Sequence, residues 1–135
     1  MPTRLALLAL LLTASCGEKM KNAASVADQF VDRYYVESDQ AGAMSLTSGV
    51  ASLRLRDELK LAQEGRSGGA LGALRQVRVY YKRDALEGNG DQRNAAYRLD
   101  IRPQGGGALS REAHLELSRQ ADGTWRVSRF NETNP

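Results

Sequence analysis

The sequence predicts an α+β domain in which three N-terminal helices pack on one face of a curved four-stranded antiparallel sheet. Three observations carry that expectation. Apolar residues recur at helical spacing between Ser25 and Glu64, then on every second position from Val77 onward. The change of period falls at a glycine-rich stretch, Arg66 to Leu74. The period-two segments are separated only by short Gly, Asn and Asp punctuation, which joins neighbouring strands as hairpins. The 135 residues allow one domain, and 41% apolar with 26% charged residues is enough to fold and too polar for a polytopic membrane protein.

The first segment is a leader rather than a structural element. Arg4 is followed by the apolar run Leu5 to Leu12 and the small residues Thr13-Ala14-Ser15, the grammar of a secretory signal. That run is far short of the roughly 20 residues a spanning helix needs. Cys16, the sole cysteine, follows at once, and Leu12-Thr13-Ala14-Ser15-Cys16 resembles the lipobox of bacterial lipoproteins, with Thr13 where leucine is commonest. The resemblance implies a signal peptide over 1–15, removal of it, and acylation of Cys16, with residues 16–24 as the lipidated cysteine and a short linker. Several acyl chains anchor a protein stably where one does not. The implied address is the cell envelope, facing the periplasm. Gly17, rather than an aspartate, favours the outer over the inner membrane within that family. Ordinary cleavage after Ser15, leaving a free thiol, is the other reading. On the anchored chain, Lys19 and Lys21 would face the lipid surface or simply solvent.

Helix 1 is expected from Ser25 to about Glu37: Val26, Phe30 and Tyr34 share a face with Ala27, Val31 and Tyr35, Ser25 reads as the cap, and Asp28 suits the positive end of the dipole. A shorter helix follows from Asp39 to Leu46. Ser45 to Gly49 breaks the chain before a third helix, Val50 to Glu64, with Ala51, Leu55, Leu59 and Ala62 as its apolar stripe, Arg54 and Glu58 paired at i, i+4, and Gly65 as its stop.

Four strands come next. Val77, Val79 and Tyr81, then Tyr97, Leu99 and Ile101, then Ala113, Leu115 and Leu117, and finally Trp125 and Val127 are the expected inward positions. Helices followed by an antiparallel meander place the helices on one sheet face and polar residues on the other.

Phe30-x-x-x-Tyr34-Tyr35, the short helix before Leu46-Thr47, and the closing Leu115-x-Leu117 to Asp122-Gly123-x-Trp125-x-Val127-x-x-Phe130 resemble the NTF2-like superfamily. The resemblance spans most of residues 25–130, with 131–135 as a tail. It implies a cone, a curved sheet wrapped round helices and often enclosing a cavity. Members of the ketosteroid isomerase and polyketide cyclase types use an aspartate or histidine inside the cone.

No expected inward strand position here is a carboxylate or imidazole. His114 alternates with Glu112 and Glu116 on the polar face, and Asp32 and Asp100 sit beside arginines. No catalytic residue is assigned. Tyr34, Tyr35, Tyr81, Tyr97 and Trp125 are the candidate lining of an apolar cavity, with plain core packing as the alternative. One histidine and one cysteine do not make a conventional zinc site, and no metal or cofactor is assigned. Ser67 to Gly72 lacks a phosphate loop's Gly-Lys-Ser/Thr ending, and Asn131-Glu132-Thr133 is a short sequon that occurs often by chance. The formal charge of +3, or +2 without Arg4, offers no basic stripe for nucleic acid. The expected function is a membrane-anchored, non-catalytic module for a partner protein or a small apolar ligand; the alternative is a tethered enzyme of the isomerase or hydratase kind.

Overall fold

A computed structural model describes residues 18–66 and 77–135; Cys16, the leader and the glycine-rich connection lie outside the described residues. Helix α1 spans Ala23–Val31, and Asn22, not Ser25, caps it: the Asn22 side chain accepts the Ser25 backbone N–H at 3.1 Å. Asparagine caps as well as serine does, and the earlier start buries Ala23 and Val26. Ser25 Oγ instead accepts from the Gln29 side chain. Asp28 therefore lies beyond the first turn and its carboxylate turns toward the sheet.

The helix then widens into one π-type turn, Asp32–Val36, closed by the Glu37 N–H donating to the Asp32 carbonyl five residues back. Such turns insert one residue into the helical repeat. Helix α2 spans Gln40–Met44 with Asp39 as its cap. Helix α3 spans Gly49–Arg66 and runs through Gly65, so the expected stop is not there. Glycine inside a helix costs only about 1 kcal/mol, too little to end it alone. Ala51 and Leu55 are buried, while Leu59 and Ala62 are half-buried.

The sheet has the strand order β1 (Val77–Glu87), β2 (Gln92–Pro103), β3 (Leu109–Arg119), β4 (Trp125–Thr133), all antiparallel. β1 runs five residues past the clear alternation because a bulge at Asp84 shifts the register between Arg83 and Ala85. A second irregularity lies where β4 passes Glu116 and Leu117 of β3. Bulges sharpen local twist, and the sheet curves round the helices. Leu46 to Ser48 lie along β4, with Val127 N–H donating to the Leu46 carbonyl and Ser48 N–H to the Val127 carbonyl. That covers one sheet edge; β1 forms the other.

The core lies between α1, α3 and the inner sheet face. Phe30, Leu55, Tyr97, Leu99, Leu115, Leu117 and Val127 are all buried to within 2%. The expected inward positions of β2, β3 and β4 do face it, with Ile101 half-buried at the margin. On β1, Val77 and Tyr81 stay exposed, because this strand is the sheet's edge. Packing also reaches back before α1: the Met20 side chain joins the core, and the Trp125 N–H donates to its carbonyl at 2.6 Å. No described helix is long and apolar enough to cross a membrane.

Candidate functional site

The five aromatic residues expected to line a cavity fall into three groups. Trp125 is buried beside Met20, with the Arg119 guanidinium 5.9 Å from its ring. Tyr97 is fully buried, and the Tyr81 ring meets it edge-on at 6.0 Å. Tyr34 and Tyr35 stack in an aromatic cluster with Phe30 and Phe130.

Register places Arg83 opposite Tyr97 on the inner face, since both lie before the β1 bulge. Arg83 Nη1 donates to both oxygens of Asp28 at 3.0 Å, and the Tyr97 hydroxyl donates to the same carboxylate. Burial, then the Asp28 hydrogen bond, push the Tyr97 phenol well above its ordinary range. Burial and the nearby Asp32 and Asp28 charges raise Tyr81 as well. Asp28 is thus a carboxylate reaching the inner side of the sheet, and three of its four acceptor positions are taken by a cation and a phenol.

The second polar group centres on Arg54, on the α3 face toward β4. Arg54 Nε donates to Glu58 at 3.1 Å, Nη2 to Glu132 at 3.2 Å and Nη1 to the Phe130 carbonyl at 2.9 Å. Its guanidinium lies 4.0 Å from the centre of the Phe130 ring, a cation–π contact. The Tyr34 hydroxyl donates to Glu58 at 2.8 Å and that of Tyr35 to Glu132. Burial first, then these carboxylates, raise both phenols. With every group matched, the arrangement is a clamp joining α1, α3 and the end of β4.

The open recess is on the other side of the sheet. Two neighbouring rungs form its floor and walls: Ala85, Ala96, His114 and Asn131, then Glu87, Asn94, Glu116 and Arg129. Their side chains bound a trough of about 340 Å³, at the small end of the range for ligand sites. The two alanines make its floor low. His114 faces outward as the alternation predicts, with Nε2 3.2 Å from the Thr133 hydroxyl and 3.5 Å from Glu112. Arg129 stands 3.9 Å from Glu116. The trough can hold a polar segment by hydrogen bonds to amide, imidazole and carboxylate groups around a methyl floor. Asp100 also faces outward and pairs with Arg102 at 2.8 Å. Among the described residues no three His, Cys, Asp or Glu side chains are grouped to hold a metal ion.

Sequence reasoning missed Arg83, Glu132 and the two alanines. Continuing the alternation of Val77, Val79 and Tyr81 by one step reaches Arg83, so that signal was present. Ala85 and Ala96 meet only through the bulged register, which the sequence does not display.

No protein family profile matches the chain, and no curated protein matches it. Solved structures do. A ketosteroid isomerase-like protein from Erwinia carotovora atroseptica SCRI1043 superimposes with a TM-score of 0.58 at 10% identity, over 87% of this chain and 98% of its own. A protein described as a calcium/calmodulin-dependent protein kinase type II association domain, from Thiobacillus denitrificans ATCC 25259, gives 0.59 at 13% identity over 83% and 94%. At these identities the likeness speaks to fold: three helices on a curved four-stranded antiparallel sheet, the NTF2-like architecture.

Proposed function

We propose that this chain is a lipoprotein of the cell envelope, anchored through Cys16 on the periplasmic face of the outer membrane, whose NTF2-like domain is a binding module rather than an enzyme. The observation that carries the non-catalytic reading is the state of Asp28. A general base must be free to take a substrate proton, whereas three of the four acceptor positions of this carboxylate are engaged by Arg83 and Tyr97. Around it the inner face is filled by Phe30, Leu99 and Leu115. Of the two kinds of ligand, the outer trough favours a polar protein segment over a small apolar molecule, because Asn94, His114, Glu116 and Asn131 surround its floor. The anchor rests on the lipobox pattern at Leu12 to Cys16.

Two measurements test this. Intact mass of the mature protein extracted from membranes is expected to show an N-terminal Cys16 carrying acyl chains; a bare cysteine or a retained leader removes the anchor. Purified protein is expected to leave the isomerisation of a ketosteroid at the buffer rate. Turnover that Asp28→Asn abolishes would make the domain an enzyme.

A further inference from the structure

The lipid attachment point and the folded body are separated by almost no chain. Glu18 to Asn22 already form turns, with Lys21 N–H donating to the Glu18 carbonyl at 3.1 Å and Asn22 N–H to the Lys19 carbonyl at 3.4 Å. Met20 is fixed twice, by its side chain in the core and by its carbonyl on the Trp125 N–H. Only Gly17 lies between Cys16 and this turn. Consecutive Cα atoms are 3.8 Å apart, so Cys16 Cα is held within about 8 Å of Glu18 Cα. A Gly/Ser linker would need tens of residues to let the domain tumble freely over its anchor.

Trp125 opens β4 at one end of the sheet. The β1–β2 turn lies at the same end, since Gln92 pairs with Ser118, and Arg119 bonds Asp91 through both its backbone N–H and its guanidinium. The β2–β3 turn, with Gly105 to Gly107, lies at the opposite end of strands 11 or 12 residues long, roughly 35 Å away. The near end is polar: Asn89, Gln92 and the carboxylates of Glu18, Asp91 and Asp122 are exposed, Asp91 paired with Arg119. Lys19 and Lys21 are exposed there too, with no carboxylate in ion-pair range among the described residues. Two ammonium groups against the single carboxylate of Glu18 leave the turn beside the attachment point net positive, which suits an anionic headgroup layer.

From this we infer that the domain does not swing on its anchor but rests on the membrane by its β1–β2 and β3–β4 turns, holding the β2–β3 turn away from the bilayer. The inference rests on the proposed acylation of Cys16, and commits to a lipid surface as what this end of the cone meets. The outer trough, whose Glu87, Asn94 and Arg129 belong to the nearer half of the sheet, then opens sideways along the membrane plane within reach of other envelope proteins.

The test uses acylated mature protein in vesicles of phosphatidylethanolamine and phosphatidylglycerol containing a nickel-chelating lipid. Acylation consumes the Cys16 thiol, so one spin label can be introduced at a time through Asn89→Cys, Ala121→Cys or Gly107→Cys. All three positions are exposed, and a side chain at Gly107 meets nothing within 4 Å. Relaxation enhancement by headgroup nickel is expected to be several-fold stronger at 89 and 121 than at 107. A flexible Gly/Ser insertion of about 20 residues after Gly17 is expected to bring the three values together. Equal enhancement without the insertion, or a stronger effect at 107, overturns the orientation. A difference that survives the insertion overturns the short tether as its cause. Intact mass on the same sample separates the two readings: a bare Cys16 sinks the proposed anchor, whereas an acylated Cys16 with equal enhancements sinks the orientation alone.

Discussion

Arg54 shows how one side chain fixes three elements at once. It lies on α3, bonds Glu58 on its own helix, reaches Glu132 and the Phe130 carbonyl on β4, and covers the Phe130 ring. Its side chain keeps 35% of its exposure and its partners about as much, so the full cost of breaking a buried pair does not apply. Arg54→Met is expected to lower stability by about 1–3 kcal/mol, read from the urea midpoint. Arg54→Lys should recover only part, because one ammonium cannot reproduce the planar fork that serves both carboxylates and the carbonyl. Tyr35 adds a pH dependence. Its folded phenol is held above the ordinary range, by burial and then by the Glu132 hydrogen bond. Below about pH 10 both folded and unfolded chains keep the proton, and stability is intact; above it the unfolded chain releases the proton first, and stability falls. The denaturation midpoint should therefore drop between about pH 9 and pH 11, and drop less in Tyr35→Phe. Half of this cluster was legible. The Arg54–Glu58 pair follows from i, i+4 spacing, but Glu132 lies 78 residues further along the chain than Arg54, and no local rule joins them.

At the scale of elements, α2 depends on a contact between its cap and its third residue. The Asp39 carboxylate accepts the Gly42 N–H at 2.9 Å, and a Cβ at position 42 would stand 2.1 Å from that carboxylate. Asp39→Ala should cost about 1 kcal/mol as a lost cap. Gly42→Ala should cost less, because the new methyl turns the Asp39 side chain aside but regains up to about 1 kcal/mol of helix propensity. In an Asp39→Ala background the same Gly42→Ala change should stabilise instead, a coupling that a double-mutant cycle of denaturation midpoints will show. Alternation in the strands was readable because the inner face of β2, β3 and β4 is continuously apolar. It faded on β1, where Arg83 occupies an inner position and Asp84 adds a residue. The widened turn at Asp32–Val36 had no signature either: Phe30, Tyr34 and Tyr35 suit a regular helix equally well.

For the whole molecule, the described residues bury no side-chain nitrogen or oxygen without a hydrogen-bond partner, and one core joins all layers. Phe30 sits at its centre, fully buried between Tyr34 and Phe130. Phe30→Ala should cost about 3–5 kcal/mol and lower one cooperative transition, seen alike by circular dichroism and Trp125 fluorescence; separate transitions by the two probes would contradict a single folding unit. The helix-to-meander order and the closing hairpin made this architecture legible, while the trough on the far side depended on a register that no composition encodes. The bulge at Asp84 bears on solubility as well. A long unprotected edge strand is a template for uncontrolled addition of further chains, and an extra residue just after Lys82 and Arg83 interrupts that template in the second half of the strand. Deleting Asp84 would straighten the border, and such a variant should seed amyloid-like fibres at concentrations where the parent protein stays dispersed.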